Sequence, residues 1–138
     1  KNFKNKKKIF YFKKKKLAEK QILLELKKNK IDLICFAGFM EILFKNFIKN
    51  FKGKILNIHP SLLPKYKGLN THERAIKNKD KYSGCTVHFV NSKLDSGKII
   101  IQKKVKINKN ETAKKLAKKI LTQEHKLYPK AILNIFSL

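Results

Sequence analysis

Asn57 and His59 stand two residues apart in the string KILNIHPSLLP. If that stretch is extended, a period of two puts both side chains on one face. An amide can donate to a carbonyl oxygen; an imidazole can move protons or stabilise negative charge. Pro60 and Pro64 stiffen the loop that follows His59. The other histidines, His72, His88 and His125, carry no comparable signal and read as surface or satisfied structural residues. Asp95 lies in the turn Leu94-Asp95-Ser96-Gly97, which leaves two readings. It is a plain turn aspartate, or a carboxylate that reaches His59, orients the ring and favours the imidazolium.

Other chemistries lack their residues. No HxxxH or HExxH metal spacing occurs, no GxSxG nucleophile elbow, and no GxGxxG or P-loop. Ser61 reads as a loop hydrogen-bonder. Cys35 and Cys85 form no CxxC pair and read as small buried hydrophobes in strands.

The elements that hold these residues follow from apolar spacing. Leu17 to Asn29 reads as a helix with Ile22, Leu23 and Leu26 as its stripe. Ile31–Phe36 is a nearly continuous apolar run ending at Ala37-Gly38, suited to a parallel strand covered on both faces. Residues 41–51 return to helical spacing, and Lys54–Ile58 is the next strand, so a βαβ unit is expected. His59 then falls at the C-terminal end of a parallel strand, where open α/β sheets place their ligand sites. Thr71 or Asn70 can cap a helix running to about Asn78, with Glu73 in its first turn. Thr86–Val90 alternates as a half-buried strand, and Ile99–Ile107 is rich in β-branched residues. Asn108 or Asn110 can cap a last helix from about Glu111. Pro129 should break or kink it, with the tail AILNIF packing back on the sheet. The fold class is α/β: a mostly parallel sheet, an antiparallel strand pair near the C-terminal end, and a long C-terminal helix.

The chain has 138 residues, enough for one domain with a real core. It carries 35 Lys+Arg against 9 Asp+Glu, a net charge of +26. That charge invites a nucleic-acid reading, but Arg74 is the only arginine, and phosphate and base readers favour Arg. The lysines are spread among many Asn and Ile, as an A/T-rich coding bias on solvated positions would place them. Residues 1–16 form a basic, low-complexity arm ahead of a domain over 17–138. No apolar run is long enough to span a membrane, and the start lacks a signal-peptide pattern.

The strings AGFMEIL, LNIHPSLLPKYKGLNTHERAI, GCTVHFVNSKLDSGKIIIQKKV and TQEHKLYPKAI, in that order from about Ile31 to Ile132, resemble the glycinamide ribonucleotide formyltransferase family of purine biosynthesis. The resemblance implies a Rossmann-like fold, a cytoplasmic enzyme, and 10-formyltetrahydrofolate as formyl donor to the amine of glycinamide ribonucleotide. No metal is implied, and no specific nucleic-acid or membrane partner; a monomer or homodimer is expected. Asn57, His59 and Asp95 fall on the family's catalytic trio. Asn57 would bond the formyl oxygen, His59 would stabilise the tetrahedral intermediate and pass a proton, and Asp95 would hold His59 charged. Met40, Glu41, Ile42 and Leu43 match the folate-contacting segment. Asn91, Ser92, Lys93, Leu94 and Asp95 match the loop that closes around the pteridine. Leu121, Thr122, Gln123 and Glu124 match the ribonucleotide segment, with Glu124 its polar contact. A cis Leu63–Pro64 peptide is also implied.

Departures from the family pattern are specific. Glu41 stands where Arg is common after GFM, and Asn70 where His is common. Lys15 and neighbouring lysines could supply a basic residue for the folate. The family's opening strand and Gly/Ser/Asn-rich phosphate loop do not precede Lys1, so the expectation is a C-terminal portion, doubtful in activity alone. Methionyl-tRNA formyltransferase and formyltetrahydrofolate deformylase are rival relatives. The deformylase typically has His-His-Ser where this chain has His59-Pro60-Ser61. The non-enzyme rival is a basic nucleic-acid-binding domain built around residues 1–16, with Phe3, Phe10, Tyr11 and Phe12.

Overall fold

The apolar runs around Ile34 and Leu56 become neighbouring strands of one sheet. The computed structural model describes residues 8–137 except 11 and 40, and not the side chain of Phe12. After a 3₁₀ turn at Phe12–Lys14 the chain forms α1 (Lys15–Lys28), β1 (Leu33–Phe36), α2 (Lys45–Asn50) and β2 (Lys54–His59). Then come α3 (Thr71–Lys77), β3 (Tyr82–Phe89), β4 (Ile99–Lys106) and α4 (Ala113–Phe136). The sheet order is β1-β2-β3-β4. β1 and β2 pair in parallel, from Leu33 opposite Lys54 to Phe36 opposite Asn57.

The α/β class, the antiparallel β3–β4 pair and the long last helix match expectation. The parallel share is smaller than expected: β3 runs antiparallel to β2 as well as to β4. Residues 60–81 are long enough for a crossover but do not run back along β2. β3 therefore starts from the end where β2 finishes.

Alternation on the strands divides the core into two layers. Leu56, Ile58, Cys85 and Val87 pack with Ala75 of α3 and with Leu116, Ile120, Leu127 and Ala131 of α4. On the other face Ile55 packs with Leu43, Phe47 and Phe51, covered by Ile22, Leu23 and Leu26 of α1. Glu19, buried in α1, accepts from the peptide N–H of Phe44 at 3.1 Å and so anchors the start of α2.

Several local expectations shift. α2 occupies only 45–50, because Glu41–Phe44 run as an irregular segment into it. Asn70 is the N-cap of α3, but in a left-handed conformation with no side-chain cap bond. Thr112, not Asn108 or Asn110, caps α4 by accepting from Lys115 N–H. α4 continues through Pro129 to Phe136. Buried Leu127 and Ala131 flank the proline, and Ile132 and Ile135 pack on the same core, so apolar packing holds the last turns in place. Cys85 is buried, but Cys35 is exposed, contrary to expectation. Burial pushes the Cys85 thiol up to about 12. The arm's described part lies on α1, where Lys8 pairs with Glu25; residues 1–7 and 11 lie outside the described residues.

Candidate active site

β2 places Asn57 and His59 on the same face as Ile55, beyond its apolar cover. The antiparallel register sets His88 of β3 opposite Asn57 and Thr86 opposite His59. A bulge between Val87 and His88 disturbs the β3–β4 ladder beside the site. The turn after β3 then brings in Asp95, which takes a left-handed φ of 42°.

His59 is 6% exposed. Its Nδ1 lies 3.4 Å from Asp95 Oδ2, and its Nε2–H donates to the Tyr66 carbonyl at 2.8 Å. Each ring nitrogen thus faces a hydrogen-bond acceptor. Gly68 N–H donates to Asp95 Oδ2 at 2.9 Å, and His88 Nε2 approaches Oδ1 at 3.7 Å. Burial pushes the Asp95 carboxyl up, but His88, the Gly68 N–H and the His59 ring outweigh it. The net position is below the usual carboxylate range, so Asp95 is an anion at neutral pH.

His88 Nδ1–H donates to the Phe89 carbonyl at 2.8 Å. Asn57 Nδ2 is 3.3 Å from His88 Nε2. The Asn57 amide makes no other side-chain hydrogen bond among the described residues. The arrangement offers a side-chain amide, an imidazole with an acceptor at each nitrogen and a buried carboxylate within one strand end. Such a set stabilises an oxyanion and moves a proton.

The loop behind His59 is tied to the sheet. Thr86 Oγ1–H donates to the Ser61 carbonyl at 2.7 Å and accepts from Leu63 N–H at 3.1 Å. Gln102 Nε2 donates to the Leu63 carbonyl and to Thr86 Oγ1. The Leu63–Pro64 peptide is cis, as the resemblance implied. Ser61 Oγ–H donates to the Lys65 carbonyl at 2.6 Å, in keeping with its reading as a loop hydrogen-bonder.

The remaining expected residues divide. Met40 lies outside the described residues. Glu41 pairs with Lys15 at 3.3 Å, so its carboxylate is countered on the spot. Ile42 is exposed, whereas Leu43 is buried in the core, so its side chain is committed to packing. Asn91, Ser92, Lys93 and Leu94 form an exposed turn, in which Asn91 Oδ1 accepts from Lys93 N–H at 2.9 Å. Leu121 and Thr122 are exposed on α4; Gln123 and Glu124 are half-buried. Burial pushes the Glu124 carboxyl above its ordinary range against the opposing charge of His125. Among the described residues no hydrogen bond or ion pair joins 121–124 to the trio.

The sequence reading passed over Tyr66, Gly68, Thr86 and His88. The strand pattern TVHFV carried the signal for His88, because paired with NIH it faces Asn57. His72 of α3 was also passed over. Its Nδ1 is buried without a hydrogen-bond partner. Burial pushes the ring's pKa down, nearby Glu73 opposes this, and His59 adds to it. Among the described residues no group of three His, Cys, Asp or Glu could hold a metal, and no helix is long and apolar enough to cross a membrane.

Comparison with known proteins gives the family. Phosphoribosylglycinamide formyltransferase of Haemophilus influenzae is 50% identical over 102 residues, 74% of this chain and 48% of the relative. The Escherichia coli protein of the same name is 41% identical, over 83% of this chain and 54% of the relative. The solved phosphoribosylglycinamide formyltransferase of Bacillus halodurans superposes with a TM-score of 0.84 at 37% identity, covering 89% of this chain and 63% of that one. The chain thus spans about half the length of these two curated relatives. The profile of the family described as formyl transferase matches residues 1–132, reaching back past the motifs to Lys1. The chain belongs to the formyl transferase family.

Proposed function

We propose that this chain carries the catalytic trio and the formyl-donor side of a phosphoribosylglycinamide formyltransferase. The observation that supports it most is the Asn57–His59–Asp95 set at the end of β2, in a chain about half identical to a relative of that name.

In the proposed reaction the amine of glycinamide ribonucleotide attacks the formyl carbon of 10-formyltetrahydrofolate. A C–N bond forms to the amine, and the oxygen gains negative charge. The amide N–H of Asn57 and the His59 ring stabilise that oxyanion. The tetrahedral carbon then expels the folate N10, which takes up a proton as the amine loses one. His59 serves this transfer, and Asp95 keeps its ring charged and aligned. The 91–94 turn and exposed Ile42 are assigned to the folate, through backbone groups and apolar contact. Residues 121–124, with Glu124 as the polar group, are assigned to the ribonucleotide. The Lys15–Glu41 pair removes much of the like-charge repulsion that Glu41 would exert on an anionic folate tail.

The test follows a ¹³C label on the donor formyl group, using the product of the complete reading frame. The expected product is N-formylglycinamide ribonucleotide. Labelled formate, with or without the ribonucleotide, would instead assign the protein to the deformylase reading. Binding is read separately on the 138-residue chain. 10-Formyltetrahydrofolate should shift the amide signals of Asn91–Asp95, and unrelated DNA or RNA should not at moderate salt.

A further inference from the structure

In a chain where 34 of 35 cationic residues are lysine, the single arginine marks a place where lysine does not suffice. Arg74, on α3, does what an ammonium cannot. Its guanidinium donates to the Lys67 carbonyl at 2.7 Å and the Leu69 carbonyl at 3.3 Å. The same plane lies over the Tyr66 ring, 4.9 Å from its centroid. Arg74 Nη1 bonds both carbonyls while Cζ lies over the aromatic face, and the single nitrogen of a lysine would have to serve both tasks from one point.

The loop so held is conformationally costly. Tyr66, Gly68 and Asn70 have φ of 54°, 77° and 57°, three left-handed residues within five. For Tyr66 that region needs support from outside the loop. Tyr66 receives it from several sides. Its hydroxyl donates to Asp80 Oδ2 and accepts from Asn78 Nδ2, each at 2.8 Å, and Arg74 covers its ring. What this loop presents inward is the Tyr66 carbonyl to His59 Nε2 and the Gly68 N–H to Asp95 Oδ2. Both partners of the His59–Asp95 pair therefore take one hydrogen bond from the segment that Arg74 clamps.

We infer that Arg74 is a positioning residue, which acts through the 66–69 loop to fix the ring of His59 and the carboxylate of Asp95. It touches neither side chain. Its consequence for catalysis rests on the formyl-transfer reading; the geometry it imposes does not.

The experiment is NMR on the 138-residue chain. Because Arg74 is the sole arginine, ¹⁵N-arginine labelling gives one unambiguous guanidinium. Slow rotation, with distinct Nη signals, is expected. The second readout is exchange of the His59 Nε2 proton in wild type, R74K, R74Q and the control K77Q. R74K and R74Q should exchange it about tenfold faster, the change one net hydrogen bond implies. K77Q should match wild type, and the core methyls of Val87, Leu116 and Ile120 should stay in place in all four. A freely rotating guanidinium in wild type, or an unchanged His59 proton in R74K, overturns the inference. If neither Arg74 variant folds, the wild-type guanidinium spectrum decides alone. Absence of formyl transfer in wild type would remove the functional reading and leave these outcomes intact.

Discussion

His59 Nδ1 lies 3.4 Å from Asp95 Oδ2, and both side chains are under one-tenth exposed. The pair joins a residue at the end of β2 to one in the β3–β4 turn, 36 positions later in the chain. A buried carboxylate against a buried ring has little solvent screening, so its charge governs the ring it faces. Replacing Asp95 by Asn keeps the shape and removes the charge. Formyl transfer should fall by about 10²-fold or more, with donor binding little changed. Steady-state kinetics beside a donor titration check this.

Asp95 also fixes a pH dependence of stability. Its carboxyl is lower in the folded state than the ordinary value of 3.8. The folded state therefore holds fewer protons on this group than the unfolded chain does. Its contribution is fully present above the unfolded pKa and is lost as pH falls through the folded one. Urea denaturation of wild type and Asp95→Asn across that acidic window should show a steeper loss in wild type. Parallel curves for the two proteins would contradict this.

His88→Phe tests how Asn57 is held. The ring would keep its bulk while Asn57 loses its partner at 3.3 Å and Asp95 loses a neighbour at 3.7 Å. kcat should fall about tenfold or more with KM nearly unchanged, since an unaligned amide weakens only oxyanion stabilisation. A matching rise in KM with kcat intact would place His88 in substrate binding instead.

How far the sequence revealed this site can be judged from single residues. Period-two spacing was enough to pair Asn57 with His59, because adjacent alternation is local. Asp95 stayed ambiguous from its turn alone; the family resemblance, and then the folded loop, brought it to His59. Tyr66 and Gly68 act through backbone groups, which residue type does not advertise. His88 needed strand register, a non-local property. The parallel character of the sheet was overread because strand direction depends on where the 60–81 connection runs, a non-local property. The helix past Pro129 was underread because packing outweighed one lost backbone bond.

Gly97 holds the β3–β4 turn that carries Asp95. A Cβ there would meet the Phe89 carbonyl oxygen at 1.7 Å, so the backbones must separate for any side chain. Gly97→Ala should cost more than about 2 kcal/mol. It should also disturb the Asp95 amide signal. Thermal unfolding and an amide spectrum measure both.

On α4, Leu116 is fully buried and Leu121 is about half exposed. Leu116→Ala should destabilise by about 3 kcal/mol, and Leu121→Ala by less than about 0.5 kcal/mol. Pro129→Ala should raise stability by about 1 kcal/mol or more, because alanine restores an N–H within the continuous helix. Urea midpoints for the three variants test the helix and its packing together.

The most direct test of the formyl-transfer assignment is His59→Asn, made in the product of the complete reading frame. Single-turnover transfer from labelled 10-formyltetrahydrofolate to glycinamide ribonucleotide is followed beside the donor Kd. The assignment predicts that transfer is abolished while the donor Kd stays within about threefold, since His59 acts on the transition state rather than on bound donor. Transfer at the wild-type rate in His59→Asn would contradict it.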